Sequence, residues 1–159
     1  MTIHHELRNE DYDNIPSKKE LSLVYSVIPV ENLDELKILI CQAISIYGYD
    51  CSLNWIDTSK VTDMSSLFSD FSEKYYIFNN KIHFDMFTGD ISCWNVSNVK
   101  NFKKMFYGNK FFNRPLSWNM ENAEDTSYMF YSSVFNKPIQ WYFTKLRNAS
   151  HMFGFSKFD

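Results

Sequence analysis

The stretch Trp94-Asn-Val-Ser-Asn-Val-Lys-Asn-Phe-Lys-Lys-Met-Phe106 decides the fold, because the chain contains four related versions of it. The other three are Ile56-Asp-Thr-Ser-Lys-Val-Thr-Asp-Met-Ser-Ser-Leu-Phe68, Trp118-Asn-Met-Glu-Asn-Ala-Glu-Asp-Thr-Ser-Tyr-Met-Phe130 and Trp141-Tyr-Phe-Thr-Lys-Leu-Arg-Asn-Ala-Ser-His-Met-Phe153. A regular period of this length is typical of a solenoid, in which each unit buries its apolar side against its neighbours. Solenoids mostly bind other molecules, so the pattern favours a binding function.

The aligned copies show which positions face inward. Apolar residues recur at about every third position, and position 13 is always phenylalanine. This spacing fits neither the period of a strand nor that of a long helix. A second signature follows each copy, in the segments Phe87-Thr-Gly-Asp-Ile91, Phe112-Asn-Arg-Pro-Leu116 and Phe135-Asn-Lys-Pro-Ile139. We expect one short parallel strand per unit, a turn, and a short helical or 3₁₀ segment ending at Met-Phe.

The N-terminal region, residues 1–52, differs from the repeats. Residues 1–19 are polar and predict an irregular arm, and the alternation over 21–27 predicts a strand that Pro29 ends. The pattern over 33–47 predicts an amphipathic helix, with Asn32 as N-cap, Glu35 completing a capping box and Gly48 as the stop. We expect this helix to cap the first repeat, because a solenoid end otherwise exposes core.

Two features depart from the repeat over residues 53–159. An insertion near 70–83 in the first unit carries Tyr75, Tyr76, Ile77 and Phe78. We expect Ile77 and Phe78 to pack on the stack and one or both tyrosines to contact a partner. The fourth unit stops at Asp159 with no Phe-Asn-x-Pro segment, so either Phe155 and Phe158 fold back to close the stack or something else covers it.

These motifs resemble the BspA-like leucine-rich-repeat family, whose mycoplasma-lipoprotein-type units follow Trp-Asp-Val-Ser-Asn-Val-Thr-Asp-Met-Ser-x-Met-Phe and then Phe-Asn-x-Pro-Leu. The resemblance covers about residues 25–159, although asparagine or tyrosine replaces the family's aspartate at 95, 119 and 142. It implies an α/β repeat solenoid, a right-handed leucine-rich-repeat-like stack of about four units, often displayed on bacterial surfaces and associated with protein binding or adhesion. It implies no shared catalytic residues.

The composition of the chain narrows the range of possible partners and locations. The net charge of −3 includes no block of like charges, which argues against nucleic acid as a partner. The three cysteines, Cys41, Cys51 and Cys93, have no regular spacing, and we expect Cys41 and Cys93 to pack as small hydrophobes in a reducing compartment. No stretch reaches the roughly 20 apolar residues of a membrane span. No export signal precedes the repeats, so we expect a cytoplasmic protein in a bacterium.

No motif for catalysis, cofactor binding or metal binding stands out. The His4-His5-Glu6 cluster and a Cys51 pairing with His83 or His151 are weak candidates, because nothing in the sequence brings partners to them. The polar position 8 contains Asp63, Asn101, Asp125 and Asn148, which could form a ligand ladder but are more typical of side chains that bind turn amides.

Positions 10 and 11 vary most and are the better candidates for a binding surface. They hold Ser65-Ser66, Lys103-Lys104, Ser127-Tyr128 and Ser150-His151, which are either simply solvated or binding anchors. With the insertion, the candidate partner-binding residues are Tyr75, Tyr76, Lys103, Lys104, Tyr128 and His151.

The sequence therefore predicts a non-enzymatic repeat module that binds another protein. The specific hypothesis is an intracellular immunity or inhibitor protein, whose partner is a toxin, a defence protein or a host protein. The alternative is a fragment of a bacterial surface adhesin, and an enzyme with a site on the insertion is a third reading. The uncapped last unit would also allow end-to-end self-association.

Overall fold

The computed structural model describes residues 5–6, 27–70, 75–77 and 80–159. Its single α-helix in these residues, α1, spans Leu33–Tyr47, the range that the apolar periodicity indicates. The Asn32 side chain accepts hydrogen bonds from the amides of Asp34 and Glu35 at 3.0 and 3.1 Å. Glu35 reaches back to the Glu31 amide at 2.8 Å, one residue before the one that a capping box uses. Gly48, with φ +88°, ends the helix.

Short strands flank the helix on both sides. Strand β2 (Ile28–Pro29) pairs in parallel with β3 (Ile56–Asp57), with Ile28 opposite Ile56. Pro29 is the last residue of β2, and it lies at the edge of the sheet, where no amide hydrogen is needed. Most of the predicted strand over 21–27 lies outside the described residues.

The insertion forms a small sheet instead of a loop. Strands β4 (Tyr75–Ile77) and β5 (Asn80–Ile82) pair antiparallel, and β1 (His5–Glu6) adds to β4 in parallel. Residues 5–6 of the predicted irregular arm thus belong to this sheet. A 3₁₀ helix, Phe84–Met86, follows β5. Ile77 is buried as expected, whereas Phe78 lies outside the described residues.

The four copies lie one on the next in register. At each of the three interfaces, the backbone amides at positions 9, 11, 13 and 15 donate to the carbonyls at positions 8, 10, 12 and 14 of the following copy. The twelve bonds measure 2.8–3.0 Å; those at position 13 run from Phe68 to Met105, from Phe106 to Met129 and from Phe130 to Met152. Single parallel bridges join the copies at Asp63, Asn101, Asp125 and Asn148.

Tight turns connect these bridges within each copy. The amide at position 12 bonds to the carbonyl at position 9, and that at position 14 to position 11, as in Met105 to Phe102 and Tyr107 to Lys104. Each such turn advances the chain by three residues, which accounts for the apolar spacing of about three. They also explain why residues 91–159 contain bridges and turns in place of the expected short strands and 3₁₀ segments, since a backbone that turns this often cannot stay extended or helical.

Phenylalanine rings form the centre of the core. The rings at position 13 stack in sequence: Phe68 on Phe106 at 5.4 Å, Phe106 on Phe130 at 5.1 Å, and Phe130 on Phe153 at 5.5 Å between centroids. The buried tryptophans beside them keep their indole N–H bonded; Trp94 donates to the Leu53 carbonyl at 2.9 Å, and Trp118 to that of Ile91 at 3.1 Å. Residues of α1 belong to the same apolar core.

The fourth copy continues the pattern further than its sequence indicated. Phe158 stacks on Phe153 at 4.1 Å, as Phe135 stacks on Phe130 at 4.2 Å, so Phe158-Asp159 takes the place of the Phe-Asn turn. Phe158 does not fold back over the end. Phe155 does not cover it either, because 83% of its surface is exposed.

Candidate functional site: an aromatic stripe

The backbone at position 11 is left-handed in every copy. Ser66, Lys104, Tyr128 and His151 have φ between 56° and 58°, a region that non-glycine residues seldom adopt. Four residues of different type share nearly the same φ, so the stacked turns, rather than the side chains, impose this backbone conformation. The side chains at this position are therefore held in a fixed direction and are free to differ in chemistry.

Four rings from positions 11 and 14 make a continuous outward surface across the second, third and fourth copies. Tyr107 stacks on Tyr131 at 5.1 Å with 10° between the rings, and Tyr128 stacks on His151 at 5.1 Å with 7°. Tyr128 and Tyr131 are 5.4 Å apart and tilted, which joins the two stacks. We call Tyr107, Tyr128, Tyr131, His151 and Phe155 the aromatic stripe.

The stripe ends at its most exposed residue. Phe155 meets the edge of Tyr131 at 5.3 Å and has a left-handed φ of 53°. Gly154 makes room for Tyr131, because a Cβ there would lie 2.9 Å from Cδ2 of the tyrosine. The tyrosines are half-buried, His151 is exposed, and 83% of the Phe155 surface faces solvent.

Positive charge adjoins the opposite end of the stripe. The ammonium group of Lys104 lies 5.6 Å from the centroid of Tyr107, within the range of a cation–π interaction. Lys103 is exposed next to it, and the Lys110 ammonium group donates to the carbonyl and hydroxyl of Ser132. The surface thus combines stacked rings with cationic side chains.

The structure brings together three of the six candidate residues, Lys104, Tyr128 and His151. Lys103 is exposed beside them, whereas Tyr76 is half-buried in β4. The prediction that Tyr75 contacts a partner is wrong. Only 4% of its surface is exposed and its ring stacks on Phe84 at 5.2 Å, so Tyr75 is a core residue. Alternation in β4 turns Tyr75 and Ile77 to the same inner side.

Sequence inspection missed Tyr107, Tyr131 and Phe155. The first two stand at position 14, three residues after position 11, and a turn between those positions makes them neighbours on the surface. Aligning position 14 as well as positions 10 and 11 would have revealed the two tyrosines. The exposure of Phe155 depends on the turn around it, so no sequence signal identifies it.

The other candidates for chemistry have structural roles in the described residues. The oxygens of Asp63, Asn101, Asp125 and Asn148 each accept a bond from the amide two residues later, at 2.7–3.1 Å, as expected of turn-binding side chains. In the described ranges, no group of three His, Cys, Asp or Glu side chains is placed to hold a metal ion.

The cysteines differ in their surroundings, and all three are free thiols. Burial raises the pKa of Cys41 to about 12, and burial together with the Asp50 carboxylate raises that of Cys51 to about 11, so neither forms a reactive thiolate at neutral pH. Cys93 is exposed, which corrects the expectation that it packs as a small hydrophobe. It lies in the turn just before Trp94, and the tryptophan occupies the core position.

In the part of the chain that the structure describes, no helix has the length and apolar character that a membrane span requires.

The registered copies and their outward stripe define a protein of repeated units with an aromatic lateral surface. The chain matches the family model described as "Mycoplasma protein of unknown function, DUF285" over residues 45–159, and it belongs to that family. No curated protein and no solved structure matches the chain.

Proposed function

We propose that this protein is a non-enzymatic binding module that recognises another protein through the aromatic stripe. The observation that carries the proposal is the connected set of rings from Tyr107 to Phe155, in which the tyrosines are half-buried and His151 and Phe155 are exposed. Tyrosine is among the residues that most often dominate binding energy at protein interfaces, because a large ring loses little conformational entropy when it is covered. An exposed phenylalanine adds apolar area that water solvates poorly.

The rigidity of the stripe supports the same proposal. A bulky residue with left-handed φ costs about 1–3 kcal/mol, so Phe155 is exposed at some expense in stability. Stacking also restrains Tyr128 and His151 before any partner arrives. A surface ordered in advance loses less entropy on binding than a mobile one.

We further propose that the copies form a right-handed solenoid of the BspA-like leucine-rich-repeat type, with α1 as the cap at its first end. The repeated parallel bridges, the four equivalent amide bonds at each interface and the stacked phenylalanines support this architecture. The membership of residues 45–159 in the DUF285 family is compatible with it.

Affinity capture tests the proposed function. The intact protein serves as bait in a lysate of the source cells, and a captured protein is then purified and its Kd measured. The double variant Tyr107→Ala/Tyr128→Ala should weaken binding about tenfold or more, because both are central stripe rings. The matched control, Phe111→Ala/Tyr142→Ala, removes two exposed rings outside the stripe and should change the Kd less than about twofold.

Unchanged binding by the stripe variant, with a far-ultraviolet spectrum and Tm close to those of the control variant, would reject the stripe as the binding surface. The identity of the captured protein decides between the finer hypotheses. A toxin or defence protein would support an immunity or inhibitor protein, while an extracellular host protein would support an adhesin.

A further inference from the structure

The charges of the copies are distributed unevenly over the sides of the stack. Positions 10–17 of the second, third and fourth copies correspond to residues 103–110, 127–134 and 150–157, which contain no aspartate or glutamate. They contain four lysines, which are Lys103, Lys104, Lys110 and Lys157. All of these except Lys104 are exposed. The chain as a whole has a net charge of −3, so the side that carries the aromatic stripe has the opposite sign to the whole chain.

Several cations on another side of the stack have carboxylate neighbours. At position 7, the Lys100 ammonium group lies 3.8 Å from one Glu124 carboxylate oxygen, and the Arg147 guanidinium group lies 3.7 Å from the other. Lys60, at position 5 of the first copy, pairs with Glu31. Positions 5 and 7 therefore carry cations that the protein itself partly neutralises. Positions 10–17 of the last three copies supply no carboxylate of their own.

The tyrosines of the stripe turn their edges outwards. Tyr131 lies between Tyr107 in the preceding copy, at 5.1 Å, and Phe155 in the following copy, at 5.3 Å. Tyr128 likewise lies between Tyr107, at 6.5 Å, and His151, at 5.1 Å. Because rings before and after them flank the faces of these half-buried tyrosines, the exposed part of each ring is the edge with the phenolic hydroxyl. An aromatic edge carries partial positive charge and a phenol donates a hydrogen bond, so both favour an anion.

One carboxylate of the protein itself already borders this surface. Asp70, in the first copy, is exposed, and its side chain lies so close to Gly108 that a Cβ there would be 2.1 Å from Oδ2. Desolvation and the Asp85 carboxylate raise the pKa of Asp70, and the positive charges of Lys110 and Lys104 oppose that rise. A carboxylate therefore fits beside these lysines. One such group against four lysines leaves the surface positive.

We propose that the aromatic stripe and the lysines beside it bind an acidic segment of the partner protein, whose carboxylates lie against Lys103, Lys104 and the tyrosine edges. This inference rests on the proposed function, because the partner is the protein that the stripe recognises. Carboxylates complement the ammonium groups, the ring edges and the phenolic hydroxyls that this surface presents. A single-stranded nucleic acid is also anionic, but its bases bind by stacking on free aromatic faces, and other rings already flank the tyrosine faces here.

Peptide titration followed by NMR of the isotope-labelled protein tests this chemistry. The probe is the synthetic peptide acetyl-Glu-Glu-Tyr-Glu-Glu-Leu-amide, and the control peptide has glutamine in place of every glutamate. The acidic peptide should bind with a Kd of about 1 mM or tighter and shift the amide signals of residues 103–110 and 127–131. The glutamine peptide should bind at least about fivefold more weakly, because it forms no ion pairs. Raising the NaCl concentration from about 20 mM to about 500 mM should weaken the acidic peptide by a similar factor, because salt screens exposed charges.

Charge-matched variants locate the site. Lys103→Gln/Lys104→Gln should weaken the acidic peptide about three- to tenfold and leave the affinity for the glutamine peptide unchanged. Lys145→Gln/Arg147→Gln removes the same charge from two exposed side chains at positions 5 and 7, and it should change the Kd less than about twofold. Asp70→Asn should strengthen the acidic peptide about two- to threefold, because it removes a carboxylate that competes for the same lysines.

Four results would overturn the proposal: equal affinity for the two peptides, no binding of the acidic peptide at about 10 mM, shifts confined to other residues, or equal effects of the two double charge variants. Tighter binding of a short oligouridylate than of the acidic peptide would assign the surface to nucleic acid instead.

The protein captured with the intact chain separates this inference from the proposed function. If Tyr107→Ala/Tyr128→Ala weakens that partner and Lys103→Gln/Lys104→Gln does not, the stripe binds a protein but does not recognise acidic groups on it. If neither variant weakens the partner, the proposed function itself fails.

Discussion

Replacing Phe106 with alanine tests the stacked core that holds the copies together. The side chain is 1% exposed and its ring lies against Phe68 at 5.4 Å, Phe112 at 4.6 Å and Phe130 at 5.1 Å. A buried Phe→Ala change costs about 3–5 kcal/mol, and the loss of three stacked neighbours places this one near the upper end. At about 2–4 °C per kcal/mol for a chain of this size, Tm should fall by roughly 8–20 °C.

Urea unfolding followed by tryptophan fluorescence and circular dichroism measures the change. A loss of about 4 kcal/mol moves the midpoint by about 2 M if the m-value is about 2 kcal/mol/M and does not change. Phe106→Leu keeps most of the apolar volume, so the difference between the two variants reports what the flat ring adds by stacking.

Phe153→Ala is the matched control, because the same position in the last copy is half-buried and has a neighbouring copy on one side only. It should cost roughly half as much, about 2 kcal/mol. If Phe106→Ala costs less than Phe153→Ala, or less than about 1.5 kcal/mol, the copies do not depend on each other through this ring column and the reasoning fails.

Three further predictions concern single positions. Gly89→Ala should destabilise the protein by about 1–3 kcal/mol or more in urea unfolding, because the new Cβ would lie 1.9 Å from the Cys51 carbonyl oxygen; a neutral result would show that this turn can move. Asn32→Ala removes the N-cap and should cost about 1 kcal/mol, whereas Asn32→Asp should restore most of it, and equal stability of all three would argue against the cap. Desolvation, followed by the charge of the Asp85 carboxylate, raises the pKa of Asp70 in the folded protein. The protonated Asp70 carboxyl therefore stabilises the folded state at pH values below its pKa in the unfolded chain. This stabilisation is lost as the pH rises through the pKa of Asp70 in the folded protein. Asp70→Asn should therefore gain stability relative to the wild type between pH 4 and pH 7, and a gain that is the same at both pH values would contradict the cause given.

Much of the scaffold could be predicted from the sequence, because the interactions that form it are local or repeated. The limits of α1 follow from a 3.6-residue apolar pattern, an Asn side chain that binds the first free amides and a glycine that adopts positive φ. The polar residues at position 8 were interpreted correctly as turn ligands, since an Asp or Asn reaches the amide two residues ahead in any such turn. The prediction that Cys93 is buried was wrong. It relied on the position of Cys93 next to the core residue Trp94, but the side chains of neighbouring residues in a turn point in different directions.

The candidate binding site could be predicted from the sequence only in part. Lys104, Tyr128 and His151 were singled out because position 11 varies, and they do adjoin one another on the surface. Tyr75 was misassigned, because an aromatic cluster in an insertion looks the same whether its rings face solvent or the stack. Its burial depends on β4 pairing with β1 and β5, and pairing between distant segments leaves no periodic trace in so short a stretch.

The sequence by itself determined that four copies exist, which positions of each copy are apolar and which are free to vary. Repetition makes this possible, because equivalent positions must meet equivalent surroundings in every layer. Only the tertiary structure decided that the rings at positions 11 and 14 join into one stripe and that Phe158 continues the stack. Those properties depend on the direction of peptide groups and on contacts between layers, which residue identity alone does not specify.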